Sequence, residues 1–142
     1  GNYLVKAESV WFFCDTEKMI PVRVMPEDVE AYGEGEALDL GKAPRKIAVP
    51  ENYEEETPVT IAVHHLDTNH HVNNAQYVDI AREAVTCTKK VKEIRVDYKK
   101  AAVLGEVLIP RVTKTGEDER TIVLAGEDKE IRAVVWLKYE EA

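Results

Sequence analysis

The chain has 142 residues, with 44% hydrophobic and 32% charged side chains, the balance of a folded globular protein rather than a disordered one. Its formal net charge of −8 argues against general nucleic-acid binding, which needs a basic field to displace counterions. No apolar stretch approaches the roughly 18 residues needed to span a bilayer. The opening Gly1-Asn2-Tyr3-Leu4-Val5-Lys6 lacks an initiator methionine and the basic and apolar regions of a signal peptide, and reads as processed or cut. Cys14 and Cys87 lie far apart with no Cys-x-x-Cys, the pattern of reduced thiols in a cytoplasmic protein.

In chain order, residues 3–13 read as a strand, ending in the apolar run Ser9-Val10-Trp11-Phe12-Phe13 expected of a strand buried on both faces. Asp15-Thr16-Glu17-Lys18 is a polar turn, and residues 20–24 return as a second strand with Pro21 marking an edge. From 26 to 57 the texture becomes acidic and rich in Pro and Gly, ending in Glu54-Glu55-Glu56. So long a connection inside one domain is unusual. The expected organisation is therefore 1–25 as strands of one unit, 26–57 as a linker, and 58–142 as a second unit.

In that second unit residues 59–65 read as a strand. Residues 72–87 read as a long helix, with Ala75, Val78, Ala81 and Val85 in one apolar stripe widened by Tyr77, Ile80 and Ala84. A helix apolar over so much of its girth is expected to be enclosed. Four strands follow at about 94–99, 106–113, 120–125 and 130–139, with hairpin-length connections. Ile131, Ala133, Val135, Leu137 and Tyr139 are expected to share a face. The order gives an α+β fold, an antiparallel sheet curled around one long central helix.

The richest polar cluster lies between the first of these strands and the helix: His64-His65-Leu66-Asp67-Thr68-Asn69-His70-His71-Val72-Asn73-Asn74. An extended backbone from 67 to 71 would bring Asp67, Asn69 and His71 to one side. The N–H groups of the helix start would follow directly. A carboxylate, an amide and an imidazole beside such donors suit acyl hydrolysis. A thioester is the easiest case, because a thiol with a pKa near 8.5 leaves without a general acid. On spacing alone the same residues also fit simple capping, with Asp67, Asn73 or Asn74 as the cap. Adjacent histidines point apart and no cysteine completes a ligand set, so neither metal nor cofactor is expected. Between 89 and 100 six bases face two acids. Lys89, Lys90, Lys92, Lys99 and Lys100 are either a solvated face or a docking patch for an acidic partner.

The run Leu66-Asp67-x-Asn69-x-His71-Val72-Asn73-Asn74-x-x-Tyr77 resembles the signature of the acyl-acyl carrier protein thioesterases of plants and bacteria. Ser9 to Asp15 with Ile20 to Val24 is similar to the end of that family's first hotdog domain, and Val96-Asp97-Tyr98-Lys99-Lys100 to the strand after the second domain's helix. The resemblance implies two tandem hotdog folds, of which this chain carries the last strands of the first and all of the second. It implies release of fatty acid from an acyl carrier protein, with the catalytic residues Asp67 orienting Asn69 or sharing in the activation of water, Asn69 positioning water or the substrate carbonyl, and His71 as general base. Val72, Asn73, Asn74 and Tyr77 are then substrate-binding candidates. Plant members carry an acidic residue where this chain has Ala101. The edge left without the first domain implies pairing with that domain or self-association between copies. A hotdog hydratase or dehydratase and a non-catalytic acyl-thioester-binding domain are the competing functions.

Overall fold

Side chains that alternate with period two decide which segments of this chain become strands and which face each one buries. The structure, a computed structural model, describes residues 3–18, 20–41 and 44–141. Gly1, Asn2, Met19, Lys42, Ala43 and Ala142 lie outside the described residues, with the parts of the expected 1–25 and 26–57 segments that contain them. Two units separate, Gly1–Ala43 and Pro44–Ala142.

In the first unit β1 (Phe13–Asp15) pairs antiparallel with β2 (Ile20–Val22), Cys14 opposite Pro21. The turn between them is held by Asp15, whose Oδ1 accepts the N–H groups of Glu17 and Lys18 at 2.9 Å. Helix α1 (Pro26–Tyr32) starts on a proline, where the missing N–H costs nothing, and Asp28 accepts the Met25 N–H at 3.0 Å. The long strand expected at 3–13 is absent from this structure. Only Phe13 joins a ladder, and Val10, Trp11 and Phe12 are 87%, 79% and 71% exposed. An apolar run forms a buried strand only when neighbouring strands cover it.

The second unit contains β3 (Glu54–Glu55), β4 (Val59–Thr60), a 3-10 turn (Val63–His65), α2 (Asn74–Glu83), β5 (Val91–Tyr98), β6 (Val107–Gly116), β7 (Glu119–Gly126) and β8 (Ile131–Tyr139). They form a six-stranded antiparallel sheet in the order β3-β6-β7-β8-β5, with β4 also on β6. Strands β6 to β8 are a meander. The strand after the helix, β5, pairs with β8 across the sheet rather than with its sequence neighbour β6. One face packs on α2: Leu108, Ile122, Leu124, Ala133, Val135 and Leu137 meet Tyr77, Ile80 and Ala81. Register explains this set, because Ile122 lies opposite Val135 and Leu124 opposite Ala133. A shift between Leu124 and Ala125 sends Ile131 to the other face, with Val123, Val134 and Trp136.

Two expectations need correction. The helix runs over ten residues, not sixteen, because Val72 bridges to Leu66 and Asn73 is extended as the N-cap. Its far end stops at Ala84, followed by a tight turn in which the Cys87 N–H reaches the Val85 carbonyl at 2.8 Å. It is covered on one side only, with Ala75, Asp79, Arg82 and Glu83 exposed. The strand expected at 59–65 ends at Thr60, and His64 and His65 sit in the 3-10 turn.

Residues 44–57, read as the end of a linker, pack onto the sheet. Ile47 joins Val123 and Val134 on the outer face, its N–H donated to Asp97 Oδ2 at 2.9 Å. Replacing fully buried Leu124 by Ala is expected to lower the unfolding free energy by about 2–5 kcal/mol, measured by urea denaturation.

Candidate active site

Leu66 and Val72 form an isolated antiparallel bridge, so residues 67–71 are a miniature hairpin loop. The Asp67 N–H reaches the His71 carbonyl at 2.8 Å, and the His70 N–H reaches the Asp67 carbonyl at 3.1 Å. His70 turns the chain with φ +60°, a left-handed conformation uncommon outside glycine. The Asp67 carboxylate closes the loop from inside, its Oδ1 accepting the amides of Asn69 at 2.8 Å and His71 at 3.2 Å. The extended backbone expected here does not occur. What joins Asp67, Asn69 and His71 is this carboxylate grip on the other two main chains, which leaves the Asn69 and His71 side chains exposed.

The helix tip is equally determined. The Val72 N–H is taken by the Ala102 carbonyl at 3.0 Å, and the Asn73 N–H by the His65 carbonyl at 2.9 Å. Asn73 caps the helix, its Oδ1 accepting the Ala75 N–H at 2.9 Å, while its carbonyl takes the Gln76 N–H at 2.9 Å. Among the described residues the Asn74 N–H has no protein acceptor. It is the donor this tip offers to an incoming negative charge. Val72 is 4% exposed and belongs to the core. Tyr77 is 3% exposed, and its hydroxyl accepts the Ala102 N–H at 2.8 Å. Tyr98, packed edge-on against Tyr77 at 5.7 Å, donates its hydroxyl to the Asn74 carbonyl at 3.0 Å. Burial pushes both phenols above their ordinary pKa, so both stay protonated at neutral pH.

The five lysines singled out as a patch do not form one. Lys89 and Lys90 precede β5 and Lys99 and Lys100 follow it, which separates the pairs by about 25 Å of extended chain. Lys89 is paired with Asp118 at 2.6 Å, Lys99 with Asp97 at 3.3 Å, and Lys100 with Glu130. Among the described residues Lys90 and Lys92 have no such partner.

A cleft of about 530 Å³ runs beside the outer side of α2, lined by His65, Gln76, Ile80, Glu83, Cys87 and Tyr139 among others. Asp67, Asn69 and His71 do not line it. His65 bridges the two regions. Its carbonyl holds Asn73, and its Nδ1 accepts the Ala62 N–H at 2.9 Å. Burial, then the neighbouring His64, push its pKa down against the pull of Glu83.

Reading the sequence missed three contributors: Ala102, Tyr98, and the buried Arg132 with half-buried Glu106, to which its Nε donates at 2.6 Å. Arg132 carried a signal, since a charge inside Ile131-Arg132-Ala133-Val134-Val135 must find partners to be buried.

A six-stranded antiparallel sheet on one helix, with a polar loop at the helix N-terminus, defines a hotdog fold. Residues 49–135 match the family described as acyl-ACP thioesterase C-terminal domain, and the chain belongs to that family. No match is found among proteins of curated function. An acyl-ACP thioesterase from Bacteroides thetaiotaomicron superposes with a TM-score of 0.78 at 16% identity, over 89% of this chain and 53% of that one. The 12:0-ACP thioesterase from Umbellularia californica gives 0.71 at 15%, over 89% and 52%. A thioesterase from Thermus thermophilus, solved with coenzyme A and zinc, gives 0.53 at 18%, over 64% and 87%. This chain thus spans about half the length of the first two.

Because the His65 pKa lies below its unfolded value of about 6.5, its contribution is complete above that pH and is lost as pH falls through the folded pKa. His65→Asn should accordingly show a smaller Tm decrease than wild type between pH 7 and pH 5, followed by differential scanning calorimetry.

Proposed function

We propose that this chain forms the water-activating half of a thioesterase that hydrolyses fatty acyl thioesters of acyl carrier protein and releases free fatty acid. The observation that carries the reading is the loop closed by Asp67, which presents Asn69 and His71 to solvent three to five residues before the unclaimed Asn74 N–H. His71 accepts a proton from water as the water oxygen attacks the thioester carbonyl carbon. Asn69 holds the water or the carbonyl. The carbonyl oxygen becomes an oxyanion that the Asn74 N–H receives, a donor of a kind worth about 2.7–4 kcal/mol when preorganised. The tetrahedral intermediate then collapses and expels the thiolate, which needs no general acid.

In this reading Asp67 acts by shaping the loop. Asn73 and Asn74 border the substrate, while Val72 and Tyr77 support the site from within the core.

Two features support a site that is completed by another fold half. Asn69 and His71 are open to solvent on one side. Strand β5 is an outer strand of the sheet, with Ile94 and Tyr98 45% and 46% exposed along it. A preceding domain in the same protein or a second copy pairs there. The acidic carrier docks on Lys90 and Lys92, whose charges are not neutralised by neighbours within the described residues.

Single-turnover thiol release from acyl-carrier protein and from acyl-coenzyme A by the full-length protein tests this reading. His71→Ala is expected to lower the rate by about 10²–10⁴-fold, and Asn69→Ala to lower it less. Thiol release that survives both changes removes the assigned site. Hydration of an enoyl thioester, or tight binding without turnover, overturns the hydrolase reading in favour of a hydratase or a binding domain.

A further inference from the structure

Arg132 is 5% exposed as the second residue of apolar β8, and a guanidinium so placed must be fully paired. Its Nε donates to Glu106 Oε1 at 2.6 Å, its Nη2 to Asp128 Oδ2 at 2.8 Å, and its Nη1 to the Glu130 carbonyl at 3.0 Å. Gly126 leaves room for this arrangement, because a Cβ there would lie 2.8 Å from Arg132 Nη2. Asp128 and Glu130 sit at the hairpin end. Glu106 looks the other way.

The second oxygen of Glu106 accepts the Val103 N–H at 3.2 Å. Val103 is the bridge partner of His71. Its neighbour Ala102 is gripped at both ends: the carbonyl accepts the Val72 N–H at 3.0 Å, and the N–H is donated to the Tyr77 hydroxyl at 2.8 Å. The two-residue strip 102–103 is therefore the surface on which the backbone of His71 and Val72 lies. Glu106 and Tyr77 hold that strip from two directions, and Arg132 holds Glu106.

We propose that Glu106, Arg132 and Tyr77 are positioning residues that set the backbone of His71 through the Ala102–Val103 strip. The role rests on the reading of His71 as the general base. None of the three touches the reacting atoms. Misplacement of a base by about 1 Å is enough to cost roughly 100-fold, so the strip needs to move only slightly for turnover to fall.

The test uses the full-length protein and the variants Tyr77→Phe, Glu106→Ala, Glu106→Gln and Asp128→Ala. Tyr77→Phe and Glu106→Ala are expected to lower kcat by about 10–100-fold with KM within about twofold of wild type. Glu106→Gln keeps one acceptor and should fall between wild type and Glu106→Ala. Asp128→Ala removes only the far contact of the guanidinium and leaves its bond to Glu106 in place, so it should lower Tm while kcat holds. Amide hydrogen exchange supplies a readout independent of turnover, with faster exchange at Val72 and Val103 in Glu106→Ala and at Ala102 in Tyr77→Phe. Should Glu106→Ala fail to fold, Tyr77→Phe carries the test. Losses of kcat no larger than that of Asp128→Ala, or unchanged exchange at these amides, overturn the positioning role. A wild type that hydrolyses no thioester overturns the reading of His71 instead, and the exchange data still decide whether the strip is held.

Discussion

A single carboxylate organises the polar end of this domain. Asp67 lies at the mouth of a five-residue loop and accepts two of the loop's own amides, which would otherwise face inward without partners. Closing the loop from inside pushes the side chains of Asn69 and His71 out and forces His70 into a left-handed conformation. The chain then enters the helix through Asn73, which satisfies the Ala75 amide with its side chain and the Gln76 amide with its carbonyl. Each amide between Asn69 and Gln76 has a protein acceptor named above, except that of Asn74. The free donor is thus a residue of the folding pattern and needs no further device to create it.

That polar end is rigid because it is bonded to elements distant in sequence. Ala102 joins the helix tip to the β5–β6 connection, His65 joins it to the 3-10 turn, and Tyr98 joins it to an outer strand. Most of the conspicuous charge elsewhere is neutralised locally. Lys89, Lys99 and Lys100 each have a carboxylate in reach, and Arg132 has three. The exposed lysine pairs contribute little to stability. Their main consequence is that the basic segment presents Lys90 and Lys92 rather than a broad positive field.

Strands β5 to β8 were legible because β5 alternates apolar and polar residues and β6 to β8 are apolar runs bounded by turn residues, while the register shifts within their ladders left no mark in the sequence. The α+β class followed from these strands and the helix before them, and the family resemblance chiefly from residues 66–77. The helix was overestimated at both ends. Apolar periodicity continues through Val72 and Val85, yet Val72 is held by a bridge to Leu66, and the chain turns at Val85–Cys87. Periodicity reports which face is apolar and is silent about where the backbone stops being helical. The loop was misread for a related reason. Alternation was assumed across residues whose geometry is set by an Asx-type hydrogen bond and a positive φ, neither of which has a period. Glu106 escaped notice because its charged partner Arg132 lies 26 residues away on another strand, and the role of Tyr77 towards the Ala102 amide was hidden by a separation of 25 residues; only folding brings these together.

In the proposed mechanism, substrate chemistry takes place at the Asp67-closed loop and not in the 530 Å³ cleft beside the helix. A crystal structure of the full-length protein with a non-hydrolysable amide analogue of an acyl-pantetheine thioester tests it directly. The account predicts the analogue's carbonyl at the helix tip, its oxygen about 3 Å from the Asn74 amide nitrogen and with His71 within one water of the carbonyl carbon. An analogue lodged between His65, Glu83 and Cys87, with the His71 imidazole facing bulk solvent, would contradict it.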